Sequence, residues 1–197
     1  QKSQGNIIDW GKIINRNIFC AIAILLMLDL VSKHIFRFYE SVMNLPLNFI
    51  DGYLLLEGAI FNYGNAYSSA SSPDEVSLVF KIIIYVLTVL GIFSSVFALM
   101  TREKTDGFNE VWFFVLMLSG CLGNTLDRLV FGNVCDWITI TRPESSFYIV
   151  TNFADLYIWI GVLGLPFVTE DTFKLKLSWF GVYSLLLFWP VRNVFLH

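Results

Sequence analysis

Four long apolar runs constrain the fold of this chain more than any other feature of its sequence. They cover residues 18–36, 76–100, 110–129 and 152–168. The first run alone would rise about 28 Å as a helix, which is enough to cross the hydrocarbon of a bilayer. The composition agrees, since 56% of the residues are hydrophobic and only 15% are charged, far from the balance of a soluble domain. The sequence therefore predicts an α-helical polytopic membrane protein built on a four-span bundle.

Both ends of the chain add segments to this bundle. Residues 1–17 mix apolar and basic side chains, which suits either a short interfacial helix or a disordered lead-in. Residues 170–197 form a C-terminal apolar extension in which the run 177–196 is interrupted by Pro190. That run either crosses as a fifth span or lies along the interface, where its tryptophans are typical. The first apolar run has no small-residue cleavage site, so it is not a removable signal peptide.

Residues 38–74 differ in character from the apolar runs. Prolines and glycines break any helix there, whereas short apolar segments at residues 53–56 and 59–61 favour strands. This stretch is predicted to form a small β-sheet on the membrane surface. If the N-terminus is cytoplasmic, alternating spans put this sheet and residues 130–150 on the opposite side. Basic residues in the short loops favour that orientation weakly.

Charge and cysteine usage exclude several classes of protein. The formal net charge is −3 and no basic cluster is present, so a nucleic-acid partner is not expected. Cys20, Cys121 and Cys135 lie in or beside apolar runs without paired spacing. They are interpreted as packing residues, and neither a disulfide framework, a metal site nor a cofactor is predicted.

Polar residues are concentrated at residues 123–155, at the margins of two apolar runs. Asn124, Asp127 and Arg128 have i, i+3, i+4 spacing, so on a helix they share one face and favour a hydrogen-bonded patch. An equally weighted interpretation is a helix end at the interface with a local pairing of Asp127 and Arg128.

Three carboxylates, two in this stretch and one in the first span, differ in how readily an ordinary structural role explains them. Asp155 suits an ordinary helix start, with Thr151 or Asn152 as the N-cap and the acid in the first turn. Asp136 lies in an apolar patch, where an unpaired carboxylate is costly or stays protonated. Such an acid beside a second carboxyl is the pairing that lets two acids share a proton and activate a water. Asp29, within the first span, needs a buried partner.

For Asp29 the candidate partners are Arg128 and the region of Asn62. Lys33 and His34, at the end of the same span, are expected to snorkel to the interface.

Five short motifs resemble those of one family, lipoprotein signal peptidase, also called signal peptidase II. They are DLVSK at residues 29–33, NYGNA at 62–66, GNTLDR at 123–128, GNVCDW at 132–137 and NFAD at 152–155. Each motif alone is weak, but five in this order on a four-span pattern are specific. The resemblance covers about residues 18–168.

This resemblance implies an aspartic endopeptidase of the bacterial inner membrane. Its N-terminus would be cytoplasmic, its active site would face the periplasm or exterior, and its sheet at residues 39–63 would form a cradle over the substrate. The implied reaction removes the signal peptide from a diacylglyceryl-modified prolipoprotein. By position the catalytic pair is Asp136 and Asp155, and the supporting or substrate-binding residues are Asp29, Asn62, Asn124, Asp127, Arg128 and Asn152.

Several positions depart from the family pattern. Leu30 replaces a Gln, Asn65 and Tyr67 alter the second motif, and Trp137 replaces a Phe. Together with the terminal extensions, these suggest a specialised member with a dedicated substrate, or with a protein partner held by residues 170–197. Two other functions stay open: a catalytically silent homologue that binds lipidated peptides or a partner protein, and a small transporter subunit using Asp29, Asp127 and Arg128 as a relay.

Overall fold

The computed structural model describes residues 16–39, 47–50, 53–63, 78–101, 108–141 and 148–168. These residues form four helices and four strands. In chain order they are α1 (Arg16–Tyr39), β1 (Leu47–Ile50), β2 (Leu54–Asn62), α2 (Leu78–Thr101), α3 (Phe108–Phe131), β3 (Val134–Thr141), β4 (Tyr148–Thr151) and α4 (Phe153–Val168).

The helices have the length and surface of membrane spans. α1, α2 and α3 are each long and apolar enough to cross a bilayer, and α4 is a shorter apolar helix of 16 residues. Large apolar side chains such as Phe19, Met27, Val89 and Phe93 are exposed on α1 and α2, where lipid would cover them. The predicted class, an α-helical polytopic membrane protein with a small sheet, is confirmed.

α3 is the central helix of the described bundle, and it packs against α1, α2 and α4. Gly123 allows α3 to pack closely against α1 and α4. A Cβ at this position would collide with Oδ2 of Asp29 on α1 and would lie in van der Waals contact with Cβ of Ala154 on α4. A glycine in the third motif therefore lets three helices meet at one level, which is the level of the polar cluster.

The four strands form one antiparallel sheet in the order β1-β2-β3-β4. The prediction that residues 38–74 form the sheet was incomplete, because β3 and β4 supply two of its four described strands. The β-branched run from Ile138 to Thr141 explains why β3 is extended. The register pairs Ile60 with Asp136 and Asn62 with Val134, so the end of β2 lies beside the acid on β3.

Several predictions fall on residues outside those described. They concern the lead-in over residues 1–15, the departures at Asn65 and Tyr67, and the fifth span or interfacial segment at residues 177–196. The assignment of these segments remains a prediction.

Candidate active site

Asp136 is a buried carboxylate on β3, held by two amides. Its Oδ2 accepts a hydrogen bond from Nδ2 of Asn62 at 3.1 Å, and its Oδ1 accepts a short one from Nδ2 of Asn152. Its neighbours in sequence, Cys135 and Trp137, belong to an apolar cluster. Burial raises the pKa of Asp136 to about 8, and the charge of Asp155 adds to this rise, while the two amides oppose it. The protonated acid is therefore the favoured form at neutral pH.

Asp155 lies in the first turn of α4, and Asn152 connects it to Asp136. Oδ1 of Asn152 accepts the backbone N–H of Asp155 at 3.0 Å, so Asn152 is the N-cap of α4. The predicted cap is thus confirmed as Asn152 and not Thr151. Because the Nδ2 of the same side chain donates to Asp136, the cap also fixes the two acids relative to each other.

Asn124 on α3 holds the carboxylate of Asp155 from the other side. Its Nδ2 donates to Oδ1 of Asp155 at 2.6 Å, and its Oδ1 accepts from Nζ of Lys33 at 2.8 Å. The ammonium of Lys33 can only donate, so it determines which way the amide of Asn124 points. The orientation of Asn124 toward Asp155 therefore depends on Lys33.

Asp29 and Lys33 form a buried ion pair one turn apart on α1. Nζ of Lys33 lies 2.8 Å from Oδ2 of Asp29, and the two side chains are 2% and 0% exposed. Oδ1 of Asp29 accepts the backbone N–H of Ala154 at 2.8 Å, so Asp29 is a second cap for the first turn of α4.

Two predictions about α1 were therefore wrong. Neither Arg128 nor Asn62 is the partner of Asp29, because Lys33 at i+4 is closer and the N-terminus of α4 supplies an amide. Lys33 does not snorkel, because Asp29 and Asn124 satisfy its ammonium inside the bundle. His34, on the outer face of the same helix, is exposed.

The predicted patch of Asn124, Asp127 and Arg128 does not form, and neither does the local pairing of the last two. Asn124 faces Asp155, whereas Asp127 is paired with Arg37 and accepts the backbone N–H of Cys135. Among the described residues, the one hydrogen-bond contact of Arg128 is a long one, 3.4 Å from Nη1 to the carbonyl oxygen of Asn124. The three side chains therefore have separate partners and do not bond to one another through their side chains.

A cavity of about 170 Å³ opens beside Asp155. Its polar lining includes Asn62, Asn124, Arg128, Thr151 and Asp155. Apolar side chains of α2 and α4 form another part of its wall, namely Ile84, Ile158 and Trp159. The cavity thus offers hydrogen-bonding side chains on one part of its wall and apolar side chains on another. In the described part of the chain, no three His, Cys, Asp or Glu side chains cluster closely enough to hold a metal ion.

The structure therefore brings together seven of the eight predicted site residues, with Asp127 displaced toward Arg37. Sequence reasoning missed the roles of Lys33 and Arg37. The i, i+4 spacing of Asp29 and Lys33 was an available signal for the first. No spacing pattern in the sequence connects Arg37 with Asp127 and Asn133, which lie 90 and 96 positions later.

Comparisons with known proteins identify a family for this chain. A family model described as signal peptidase (SPase) II matches residues 21–169. A lipoprotein signal peptidase of Mesorhizobium japonicum is 38% identical over 101 residues, a match that covers 51% of this chain and 55% of the relative. A lipoprotein signal peptidase of Buchnera aphidicola subsp. Acyrthosiphon pisum is 27% identical over 156 residues, covering 77% of this chain and 89% of the relative.

The extent of these matches varies. The chain spans little more than half of the M. japonicum relative, and 64% of the lipoprotein signal peptidase of Buchnera aphidicola subsp. Schizaphis graminum, to which it is 29% identical.

Two solved structures of bacterial membrane enzymes share the fold. One has a TM-score of 0.58 at 22% identity, covering 77% of this chain and 85% of that one. The other has a TM-score of 0.59 at 21% identity, covering 79% and 94%. Because the family model matches well over half of the sequence, the chain belongs to the signal peptidase II family.

Proposed function

We propose that this protein is an aspartic endopeptidase that removes the signal peptide from diacylglyceryl-modified prolipoproteins, with Asp136 and Asp155 as the catalytic pair. One observation carries the proposal. Two carboxylates are joined through Asn152, one buried and favouring its protonated form, the other lining a cavity. This is the difference in environment that lets one acid act as a proton donor while the other acts as a base.

The roles follow from the surroundings of each acid. Asp155 is the general base, because Asn124 donates to it and it lies at the positive end of α4. It takes a proton from a water whose oxygen attacks the scissile carbonyl carbon. Asp136 donates its proton to the carbonyl oxygen, which gives a neutral tetrahedral intermediate. When the C–N bond breaks, Asp155 gives its proton to the leaving nitrogen and Asp136 recovers one from the intermediate.

The lining of the cavity is the argument for a lipidated substrate. Asn62 and Arg128 line it and offer donors to the carbonyls of an extended peptide, while Ile84, Ile158 and Trp159 provide an apolar wall on the bilayer side. The sheet lies over the ends of α1 and α3, where the chain would leave the membrane. The relatives are bacterial proteins, so the bacterial inner membrane, with the sheet on its outer face, is the location we propose.

Cleavage of a defined substrate tests the proposal. The purified full chain in detergent or vesicles would be incubated with a diacylglyceryl-modified prolipoprotein and with the same precursor lacking the lipid. We expect mass spectrometry to find cleavage just before the modified cysteine in the first precursor only. Binding without cleavage would instead establish the silent homologue, and absence of both would overturn the proposal.

Arg128→Lys should lower turnover by roughly 10²-fold without unfolding the protein. A guanidinium holds a carbonyl with a planar fork that a lysine cannot copy. The one described hydrogen-bond contact of Arg128 is long, so the free energy of unfolding should change little in the variant. Steady-state cleavage and thermal unfolding would be measured together, with Arg16→Lys at the far, exposed end of α1 as the control. Wild-type turnover in the folded Arg128→Lys variant would remove this residue from the site.

Activity should fall as the pH rises through about 8. Burial and the charge of Asp155 raise the pKa of Asp136 to that value, and the proposed mechanism needs its protonated form. The measurement is the pH dependence of kcat for the lipidated precursor, with unfolding followed over the same range to separate inactivation from titration. A kcat that stays constant well above pH 8 would exclude Asp136 as the proton donor.

A further inference from the structure

Arg37 occupies an unusual position in the last turn of α1. Its side chain is only 7% exposed, and it reaches three other segments that surround Asp136. Nη1 donates to Oδ1 of Asn133 at 2.7 Å, and Nη2 donates to both carboxylate oxygens of Asp127 at 3.2 and 3.1 Å. Its guanidinium also lies 5.1 Å from the ring of Phe61 and 4.1 Å from that of Phe131. It therefore fixes the end of α3, the turn before β3 and the end of β2 to one another.

Two of these contacts, those to Asp127 and Phe61, connect to Asp136 through a single intermediate residue. Asp127, held by Arg37, accepts the backbone N–H of Cys135 at 2.8 Å, and Cys135 directly precedes Asp136. Phe61, stacked on Arg37, pairs with Cys135 across the sheet and directly precedes Asn62. Asn62 in turn donates to the carboxylate of Asp136. The guanidinium thus restrains both the backbone that carries the acid and the amide that orients it.

Arg37 is not in the cavity lining, and both of its Nη atoms are already bonded to Asn133 and Asp127, so it is not assigned a contact with substrate. Stability alone does not explain it either. A buried ion pair contributes little net stability compared with apolar residues of similar size, and Nε of Arg37 finds no acceptor among the described residues. What the pair does supply is fixed geometry, since a planar fork bonded to a carboxylate allows few arrangements.

We infer that Arg37 is a positioning residue that holds β3 against α3 and β2 so that Asp136 meets its partners in a reactive geometry. The inference rests on the proposed function for its catalytic consequence. The structural part, that Arg37 restrains the backbone at Cys135, stands independently of any activity.

Two measurements on Arg37→Lys test the two parts. A lysine keeps the charge beside Asp127 but lacks the rigid planar fork whose two nitrogens bond Asn133 and Asp127 separately. We expect kcat to fall roughly 10²-fold because the acid is misplaced, while KM changes less than about twofold because Arg37 does not contact the cavity walls on α2, α3 and α4. We also expect faster amide hydrogen exchange at residues 134–137, with unchanged exchange in α2. Arg16→Lys should leave kcat, KM and exchange as in the wild type.

A second variant separates loss of activity through misplacement of Asp136 from loss of activity through unfolding. Arg37→Met combined with Asp127→Asn removes both charges, so no uncompensated ion stays buried, and the new amide oxygen can still accept from Cys135. Its melting temperature should lie near that of the wild type while its kcat stays low.

The outcomes separate the inference from the proposed function. If the wild type cleaves and both variants retain its kcat, the inference falls and the function stands. If the wild type does not cleave, the function falls, and the exchange measurement still decides the structural part. Unchanged exchange at residues 134–137 in Arg37→Lys would overturn it, and faster exchange confined to that strand would support it.

Discussion

Asp136→Asn and Asp155→Asn should each reduce cleavage of a lipidated prolipoprotein by on the order of 10⁴-fold or more. An amide keeps the size of the carboxyl but can neither take the proton of the attacking water nor deliver one to the carbonyl oxygen. Because the two acids act as one unit, the double variant should be no less active than either single variant. The measurement is single-turnover cleavage at enzyme excess, which detects very slow reactions.

The same variants should still fold and bind. Between the ordinary value of 3.8 and a pKa of about 8, the folded state keeps the proton of Asp136 and the unfolded state does not. The free energy of unfolding therefore falls as the pH rises through this window, and Asp136→Asn removes that loss. The new amide can accept from only one of Asn62 and Asn152, which offsets part of the gain. A net stabilisation on the order of 2 kcal/mol at neutral pH is expected.

Glu110→Gln is the matched control, since it neutralises a carboxylate in the first turn of α3, far from the sheet. It should cleave like the wild type. Near wild-type cleavage by either aspartate variant would exclude the catalytic pair. Loss of binding together with cleavage would point instead to a folding defect.

Much of the fold could be predicted because lipid imposes simple rules. Apolar runs of sufficient length give the helices, and the capping residue Asn152 marks the start of α4. β3 was harder to predict. The burial of an acid at Asp136 within an apolar patch indicates an energetic cost but no secondary structure. The signal for a strand is the run of β-branched residues that follows it. Only pairing with β2 shows that the extended segment also brings Asn62 to the acid.

The partners of buried charges could not be predicted in the same way. Helical spacing tells which residues share a face, but not which neighbour that face meets. Asn124, Asp127 and Arg128 have suitable spacing for one patch and nevertheless face Asp155, Arg37 and the cavity, respectively. The reason is that α1 inserts two basic side chains, Lys33 and Arg37, beside the last turns of α3. Lys33 donates to Asn124 and Arg37 pairs with Asp127. Which side chains these two basic groups can reach depends on how α1 packs against α3.

Lys33→Met should lower both stability and activity. Removal of the ammonium leaves the carboxylate of Asp29 buried with only the amide of Ala154 as a described partner, and breaking a buried pair in this way costs about 3–5 kcal/mol. It also frees the amide of Asn124 to rotate, so that its Nδ2 no longer points reliably at Asp155. Thermal unfolding in detergent and steady-state cleavage would measure the two effects.

A double variant separates these effects. Asp29→Asn together with Lys33→Met removes the uncompensated charge, and the new amide oxygen can still cap the N–H of Ala154. Most of the stability should return, because apolar replacement of a buried pair is close to neutral. Activity should not return, because nothing then orients Asn124 toward the base. Leu30→Met, a volume-conserving change one position beyond Asp29, is the control and should change neither quantity by much. If the double variant regains wild-type cleavage along with its stability, Lys33 supports the fold alone, and the orientation of Asn124 does not depend on it.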